Sequence, residues 1–106
     1  NERILKATKL IHTNLACNIT IEKLAAEAGI SQEHFIRLFR QTTGTTPMLY
    51  INQKRIEKAE LLLLTTEKSI REIALTLGYE DNSYFVRVFK RVTNTTPSEY
   101  RRQNKQ

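Results

Sequence analysis

The sequence predicts an all-α fold of seven helices, with two helix-turn-helix subdomains joined by a long central helix. Three observations lead to this prediction. One segment of the chain occurs twice, apolar residues recur at helical spacing, and no useful stretch alternates with the period of two that strands show. With 106 residues, the chain is long enough for one small domain or two half-size units.

The repeat consists of two blocks. Residues 21–30, IEKLAAEAGI, return at residues 70–79 as IREIALTLGY. Residues 35–50, FIRLFRQTTGTTPMLY, return at residues 85–100 as FVRVFKRVTNTTPSEY. The second copy has one additional residue between its blocks. A repeat of this length indicates one supersecondary unit used in duplicate.

The first subdomain, residues 1–46, is expected to hold three helices. A helical period of apolar residues predicts the first of them, and residues typical of helix ends bound the other two. Those boundary residues are Thr20 and Gly29 for the second helix, and Ser31 and Gly44 for the third. The predicted helices cover residues 2–16, 20–28 and about 31–43.

Residues 47–65 are expected to form the long linking helix, because Pro47 suits a first helical position. The second subdomain, residues 66–106, repeats the pattern with Ser69 as a helix cap. Its helices are predicted over residues 69–77 and about 81–93, followed by a short helix from Pro97. The polar tail, residues 101–106, is expected to be frayed.

Each copy has the residue pattern of a helix-turn-helix. A small residue in the first helix permits close packing, a glycine four positions later makes the turn, and apolar residues anchor the second helix. These residues are Ala25, Gly29, Phe35, Leu38 and Phe39 in the first copy, and Ala74, Gly78, Phe85, Val88 and Phe89 in the second. A helical wheel also places Thr42 and Val92 on the buried faces.

The outward faces of the two second helices are candidates for reading DNA. Arg37 and Arg87 hold equivalent positions, where an arginine can donate two hydrogen bonds to guanine O6 and N7. Ile36 and Val86 also correspond, and can contact thymine methyl groups or simply extend the core. The candidate phosphate contacts are Ser31, Arg40, Thr46, Lys90, Arg91, Thr95 and Thr96. A solvated polar face, with hydroxyls serving only as caps, is the alternative.

Composition favours an anionic partner and a reducing compartment. The net charge is +6 and the sequence pI is about 9.7. Cys17 is the single cysteine, so neither an intramolecular disulfide nor a thiolate metal cluster is expected, which fits the cytoplasm. No signal peptide is evident, and the longest aliphatic run, residues 61–64, is too short for a bilayer. Because the chain begins at Asn1, we expect it to be part of a longer protein.

The second copy, IREIALTLGYEDNSYFVRVFKRVTNTTPSEYR, resembles the signature region of the AraC/XylS-type bacterial transcription regulators. The first copy and the segment RIEKAELLLLTTEKSI resemble the same DNA-binding domain, so the similarity extends over nearly the whole chain.

The resemblance implies that two recognition helices enter adjacent major grooves of double-stranded DNA about one turn (~34 Å) apart. The residues expected to read bases are Gln32, Glu33, Ile36 and Arg37 in the first helix, and Asn82, Ser83, Val86 and Arg87 in the second. It further implies transcription regulation, in which an activator would contact RNA polymerase, while activation and repression both stay open. A small-molecule effector acts, if at all, through a domain absent from this chain. No cofactor, metal or membrane is implied.

Other functions fit the sequence less well. An enzyme is not expected, because His12, Cys17, Glu33 and His34 lack the spacing of a metal site or a catalytic triad. A related regulator type that uses clustered cysteines for methyl transfer is excluded by the single cysteine. Sequence-indifferent binding of DNA or RNA, and a protein-interaction module, remain alternatives that do not account for a duplicated helix-turn-helix.

Overall fold

The computed structural model describes residues 1–104 and contains seven α-helices and no strand within that range. The predicted all-α fold is therefore confirmed. The helices are α1 (Glu2–Thr13), α2 (Ile21–Ala28), α3 (Gln32–Thr43), α4 (Pro47–Thr65), α5 (Ile70–Thr76), α6 (Asn82–Thr93) and α7 (Pro97–Asn104). None of the helices in residues 1–104 has the length and apolar character needed to cross a membrane.

The helix starts follow the capping residues that the sequence indicated. The hydroxyl of Thr20 accepts a hydrogen bond from the Lys23 amide at 3.1 Å, and that of Ser31 accepts one from the His34 amide at the same distance. Ser69 goes further and forms a capping box, in which its hydroxyl and the Glu72 carboxylate each bind the other residue's backbone N–H.

Two predicted helix ends were wrong. α1 stops at Thr13 rather than residue 16, because the Asn14 side chain donates to the Leu10 carbonyl at 2.8 Å and takes over a helix-end acceptor. The tail predicted to fray is helical as far as Asn104. Arg101 anchors it, since its Nε donates to the Leu63 carbonyl at 3.0 Å. Residues 105 and 106 lie outside the described part of the chain.

The chain divides into two compact units that meet within α4, after residue 52. Each unit has its own buried core. The first core consists of Ile4, Ala7, Ile11, Leu24, Ala25, Phe35, Phe39 and Ile51. The second consists of Ile56, Ala59, Leu63, Ile73, Ala74, Leu77, Tyr79, Phe85, Val88 and Phe89. The division into residues 1–46, 47–65 and 66–106 stays a prediction.

The structure extends the duplication beyond the two blocks seen in the sequence. The second part of α4, KRIEKAELLLLT, aligns with α1, ERILKATKLIHT, and the start of α4 aligns with α7. Buried positions correspond accordingly, with Ile4 matching Ile56 and Ala7 matching Ala59. Each unit thus consists of four helical segments, and α4 is the last segment of the first unit joined directly to the first segment of the second.

The interiors of the two units match in detail. In the first unit the Phe39 ring meets the Tyr50 ring edge to face, with centroids 5.4 Å apart. In the second unit Phe89 and Tyr100 make the same contact at 5.7 Å. These edge-to-face pairs connect the second helix of each helix-turn-helix to the segment that follows it, and so fix α3 and α6 within their units.

Candidate nucleic-acid interface

The two helix-turn-helix turns close their first helix in the same way. The Ile30 amide donates to the Ala25 carbonyl at 3.2 Å, and the Tyr79 amide donates to the Ala74 carbonyl at 2.9 Å. The preceding glycines, Gly29 and Gly78, have φ values of 72° and 88°, a left-handed backbone conformation that side chains with a Cβ rarely adopt. Both turns therefore favour a glycine at this position.

The additional residue of the second copy is Glu80. It follows the closed end of α5 and precedes Asp81, whose carboxylate accepts hydrogen bonds from the amides of Ser83 at 2.9 Å and Tyr84 at 3.3 Å. Asp81 thus occupies the N-cap position that Ser31 has in the first unit. The insertion lengthens the loop while leaving both helix ends intact.

The inner faces of α3 and α6 hold the predicted anchors. Phe35 and Phe39 are fully buried in the first unit, as are Phe85 and Phe89 in the second. The predicted burial of Thr42 and Val92 was wrong, since Thr42 is exposed and 42% of the Val92 surface remains accessible. In the last turns of α3 and α6 the half-buried residue is instead the next one along, Thr43 or Thr93. Each of these donates its hydroxyl to the carbonyl four residues earlier at 2.8 Å.

All the predicted base-reading residues lie on α3 or α6. Six are exposed: Gln32, Glu33, Arg37, Asn82, Ser83 and Arg87. Ile36 and Val86 are half-buried, and Val86 packs against the second core. That contact favours the interpretation of Val86 as an extension of the core. Each helix therefore exposes an arginine at the same position, Arg37 on α3 and Arg87 on α6.

The predicted phosphate contacts include side chains that already cap helices. The hydroxyl of Thr46 accepts from the Leu49 amide at 3.3 Å, and that of Thr96 accepts from the Glu99 amide at 3.1 Å. Ser31 caps α3 as described, and Thr95 donates to the Thr96 carbonyl at 3.4 Å. The three basic candidates, Arg40, Lys90 and Arg91, are exposed.

The starts of α4 and α7 differ in whether a carboxylate of the same helix already accepts a hydrogen bond from the N-terminal backbone amide. The Glu99 carboxylate accepts a hydrogen bond from the Thr96 amide at 3.0 Å, and this bond holds the pKa of Glu99 below its ordinary value. A carboxylate therefore occupies the backbone N–H that a phosphate would use at α7. Leu49 stands at the equivalent place in α4, so the amide of Thr46 faces no such competitor from its own helix.

The four residues considered for an enzyme, His12, Cys17, Glu33 and His34, lie on α1, in the loop after it and on α3. His12 Nε2 is hydrogen-bonded to the Tyr50 hydroxyl at 2.9 Å, which ties α1 to α4, and Cys17 is exposed in the following loop. Within residues 1–104 there is no group of three histidine, cysteine or acidic side chains placed to hold a metal ion.

One exposed residue was missed by the sequence interpretation. Tyr84 keeps 39% of its surface accessible and lies under the Arg87 guanidinium, whose carbon is 5.7 Å from the ring centroid. The sequence did carry a signal for this contact: Tyr84 and Arg87 are three positions apart on one helix, and residues at that spacing are neighbours.

A family model described as a helix-turn-helix domain matches residues 24–103 of this chain. The chain is also similar to a solved transcriptional regulator from Chromobacterium violaceum that is described as containing an AraC-type DNA-binding domain. The two share 31% identity with a TM-score of 0.87, covering 96% of this chain and 91% of that one. The chain belongs to the AraC-type helix-turn-helix family. The predicted family is thereby confirmed.

Two further solved structures are similar to this AraC-type domain. The C-terminal domain of AraT, a response regulator from Geobacillus stearothermophilus, has a TM-score of 0.96 at 30% identity, covering 100% of this chain and 88% of that one. The DNA-binding domain of AdpA, described as a global transcriptional factor and solved with a target DNA, has a TM-score of 0.90 at 28% identity, covering 94% and 90%.

The lactose operon transcription activator of Staphylococcus xylosus is 35% identical over 81 residues. The match covers 76% of this chain and only 29% of that activator. The AraC-type domain thus corresponds to a minor part of that relative's length.

Proposed function

We propose that this AraC-type domain binds double-stranded DNA at a specific sequence and thereby serves transcription regulation. The observation that carries the proposal is the exposed arginine at the same position of α3 and α6, Arg37 in one unit and Arg87 in the other. Similarity to a domain solved with its target DNA supports it. In this proposal α3 and α6 are the recognition helices and read adjacent major grooves.

Each recognition helix reads a short box of bases. Arg37 and Arg87 donate to guanine O6 and N7, the commonest base-specific contact in the major groove. Glu33 accepts from the N4 amino group of a cytosine, and Ile36 contacts a thymine methyl. Gln32, Asn82 and Ser83 supply further hydrogen bonds to base edges. Val86 contributes less than Ile36 to the reading of bases, because it packs on the core.

Basic side chains and helix starts hold the DNA backbone. Arg40 lies in the last turn of α3, and Lys90 and Arg91 lie in the last turn of α6. In this proposal the hydroxyls of Ser31, Thr46 and Thr96 donate hydrogen bonds to phosphate oxygens, and that of Thr95 does so after it releases the Thr96 carbonyl. The backbone amide of Thr46 adds a further hydrogen bond to a phosphate, because no carboxylate of α4 competes for it. The net charge of +6 adds a sequence-independent attraction.

The names of the relatives support a role in the activation of transcription. Two of them are named as transcription activators, the lactose operon activator and the activator Btr of Bacillus subtilis. In this proposal activation involves contact with RNA polymerase. The domain acts in the bacterial cytoplasm, without enzymatic activity or a cofactor of its own. A small-molecule effector, where one is used, binds a part of the protein outside these residues.

Selection of bound duplexes from a random DNA library at moderate salt tests the proposal. The expected outcome is an asymmetric site with two short boxes about one helical turn apart. A single enriched box would restrict base reading to one unit. The absence of any enrichment would contradict sequence-specific binding and leave a protein-interaction role or sequence-indifferent binding.

Arginine variants assign the boxes to the units. Arg37→Ala and Arg87→Ala are each expected to weaken binding to the selected duplex by about 1–3 kcal/mol and to relax the preference at one base pair. The matched control is Arg40→Ala, which removes an equal charge from α3 and should weaken binding to all sequences alike. Unchanged base preferences in both arginine variants would refute the assignment.

A further inference from the structure

Two tyrosine rings lie between two arginines in the second unit. The guanidinium of Arg55, on α4, lies over the Tyr79 ring at 5.3 Å from its centroid. The Tyr79 and Tyr84 rings are 6.0 Å apart, tilted by 52°. Arg87 then lies over the Tyr84 ring at 5.7 Å. We call these four residues the arginine–tyrosine stack.

The stack leads from the interior of the unit to its surface. Arg55 and Tyr79 are buried, with 8% and 4% of their surfaces accessible. Tyr84 is 39% accessible and Arg87 is exposed. Burial raises the pKa of Tyr79 to about 12, so its phenol stays neutral at physiological pH. The outer ring, Tyr84, is therefore supported from behind by a fixed, neutral ring.

A supported ring is suited to orienting an arginine. An arginine side chain has about 2 kcal/mol of rotamer entropy, which a free side chain loses when it binds a base. Placement over the face of an aromatic ring restrains the guanidinium through the attraction between its charge and the ring. That placement uses the planar face and leaves the N–H groups on the edge for guanine.

The first unit has no tyrosine at the equivalent positions. Ile30 corresponds to Tyr79 and His34 corresponds to Tyr84, while Arg3, the counterpart of Arg55, is exposed. The two arginines at the same helix position, Arg37 and Arg87, therefore have different neighbours.

We propose that Tyr84 is a positioning residue for Arg87 and that it sharpens the second unit's preference for guanine. This inference rests on the proposed DNA-binding function. Tyr84 acts by holding the guanidinium in the orientation that guanine requires, before the DNA arrives. The first unit, in which His34 and Ile30 replace the two tyrosines, discriminates less strongly at its own guanine.

The test compares the selected duplex with duplexes substituted at the base pair assigned to Arg87, using the 106-residue chain. Tyr84→Leu is expected to reduce the discrimination at that base pair by roughly two- to fivefold, the effect of losing an exposed cation–π contact. Tyr84→Phe should retain the discrimination, because the ring face remains. In an Arg87→Ala background Tyr84→Leu should have no further effect on base preference.

His34→Leu is the matched control in the first unit, and it should leave the discrimination at the Arg37 base pair unchanged. Thermal unfolding of each variant shows whether α6 stays folded. An equal loss of affinity for every duplex in Tyr84→Leu, or a loss of discrimination in Tyr84→Phe, would overturn the positioning role. A wild-type chain without any base preference would instead overturn the proposed function, and this inference with it.

Discussion

Gly44 and Asn94 occupy the same place in the two units, directly after α3 and α6. Both have a left-handed backbone, with φ values of 82° and 65°. A Cβ atom built on Gly44 has no neighbouring atom within 4 Å, so only backbone strain opposes a side chain there. Substitutions at Gly44 therefore measure the effect of a left-handed φ on the free energy of unfolding, without a contribution from packing.

Gly44→Ala is expected to lower the free energy of unfolding by about 1–2 kcal/mol, the strain of a left-handed residue with a Cβ. Gly44→Asn, which copies the second unit, should lower it by less, because asparagine visits this region more readily. Urea denaturation of the three chains measures both effects. Equal losses for alanine and asparagine would show that φ is not the cause.

The burial of single residues was largely predictable from the helical wheel. The wheel identified Phe35, Phe39, Phe85 and Phe89 as buried, because their spacing alone places them on one face. It failed at Val92 because a helical wheel gives the direction of a side chain but does not show whether a neighbouring helix is long enough to cover it. The Arg87–Tyr84 contact required side-chain conformations, which the spacing permits but does not determine.

At the scale of helices, Arg101 connects two elements that are distant in sequence. Its guanidinium donates to the carbonyls of Leu63 at 3.0 Å and Thr66 at 3.2 Å, near the end of α4. Arg101→Ala should therefore lower the free energy of unfolding by about 1.5–3 kcal/mol, the range for hydrogen bonds to charged groups. Arg102→Ala removes the adjacent, exposed arginine and should change it by less than about 0.5 kcal/mol. Similar effects of the two variants in chemical denaturation would contradict this role.

The capping boxes of α5 and α7 should make stability depend on acid pH. Backbone hydrogen bonds from Ser69 and Thr96 hold the pKa values of Glu72 and Glu99 below their ordinary value of 4.5. A lowered pKa in the folded state stabilises the fold above the unfolded pKa, and this contribution disappears as the pH falls through the folded pKa.

Glu72→Gln combined with Glu99→Gln keeps a capping acceptor but removes the titration. We expect the wild-type chain to have the higher melting temperature at pH 6, with the difference shrinking below pH 4.5. Thermal melts across pH 3–6 provide the measurement. A difference that stays constant over this range would show that the two carboxylates are not responsible.

Helix starts were predictable because capping is local, whereas two helix ends were not. Thr20, Ser31 and Ser69 bind amides within three residues of themselves, so the sequence carries the whole signal. The persistence of α7 to Asn104 depends on Arg101 binding α4, a contact across more than thirty positions in the chain. No local pattern indicates such a bond.

At the scale of the whole molecule, the charge excess predicts salt-dependent DNA binding. The logarithm of the binding constant for the selected duplex should fall linearly with the logarithm of salt concentration. Lys90→Ala should reduce the slope by about one and leave base preferences unchanged. Lys9→Ala removes the same charge from an exposed position of α1 outside the proposed contacts, and should leave the slope nearly unchanged. An identical slope for wild type and Lys90→Ala would exclude a phosphate contact at that lysine.

The duplication of the whole molecule was only partly predictable from the sequence. The blocks that contain α2, α3, α5 and α6 align at offsets of 49 or 50, whereas α1 aligns with the second part of α4 at an offset of 52. The loop after α1 is longer than the loop after α4, which accounts for the change. A comparison at fixed offset therefore missed the third repeated segment, although its buried residues correspond. How the proposed base-reading residues meet DNA stays a prediction.

The direct join within α4 has a consequence for the solvation of the backbone. Two separate helices would leave four unbonded N–H groups and four unbonded C=O groups where one ends and the next begins. In the continuous helix those groups bond to one another, and neither water nor a capping side chain has to satisfy them. Cutting the chain after Asn52 would leave these N–H and C=O groups without helical partners at the unit boundary. The separated halves would therefore need engineered caps to recover the stability that each has within the intact polypeptide.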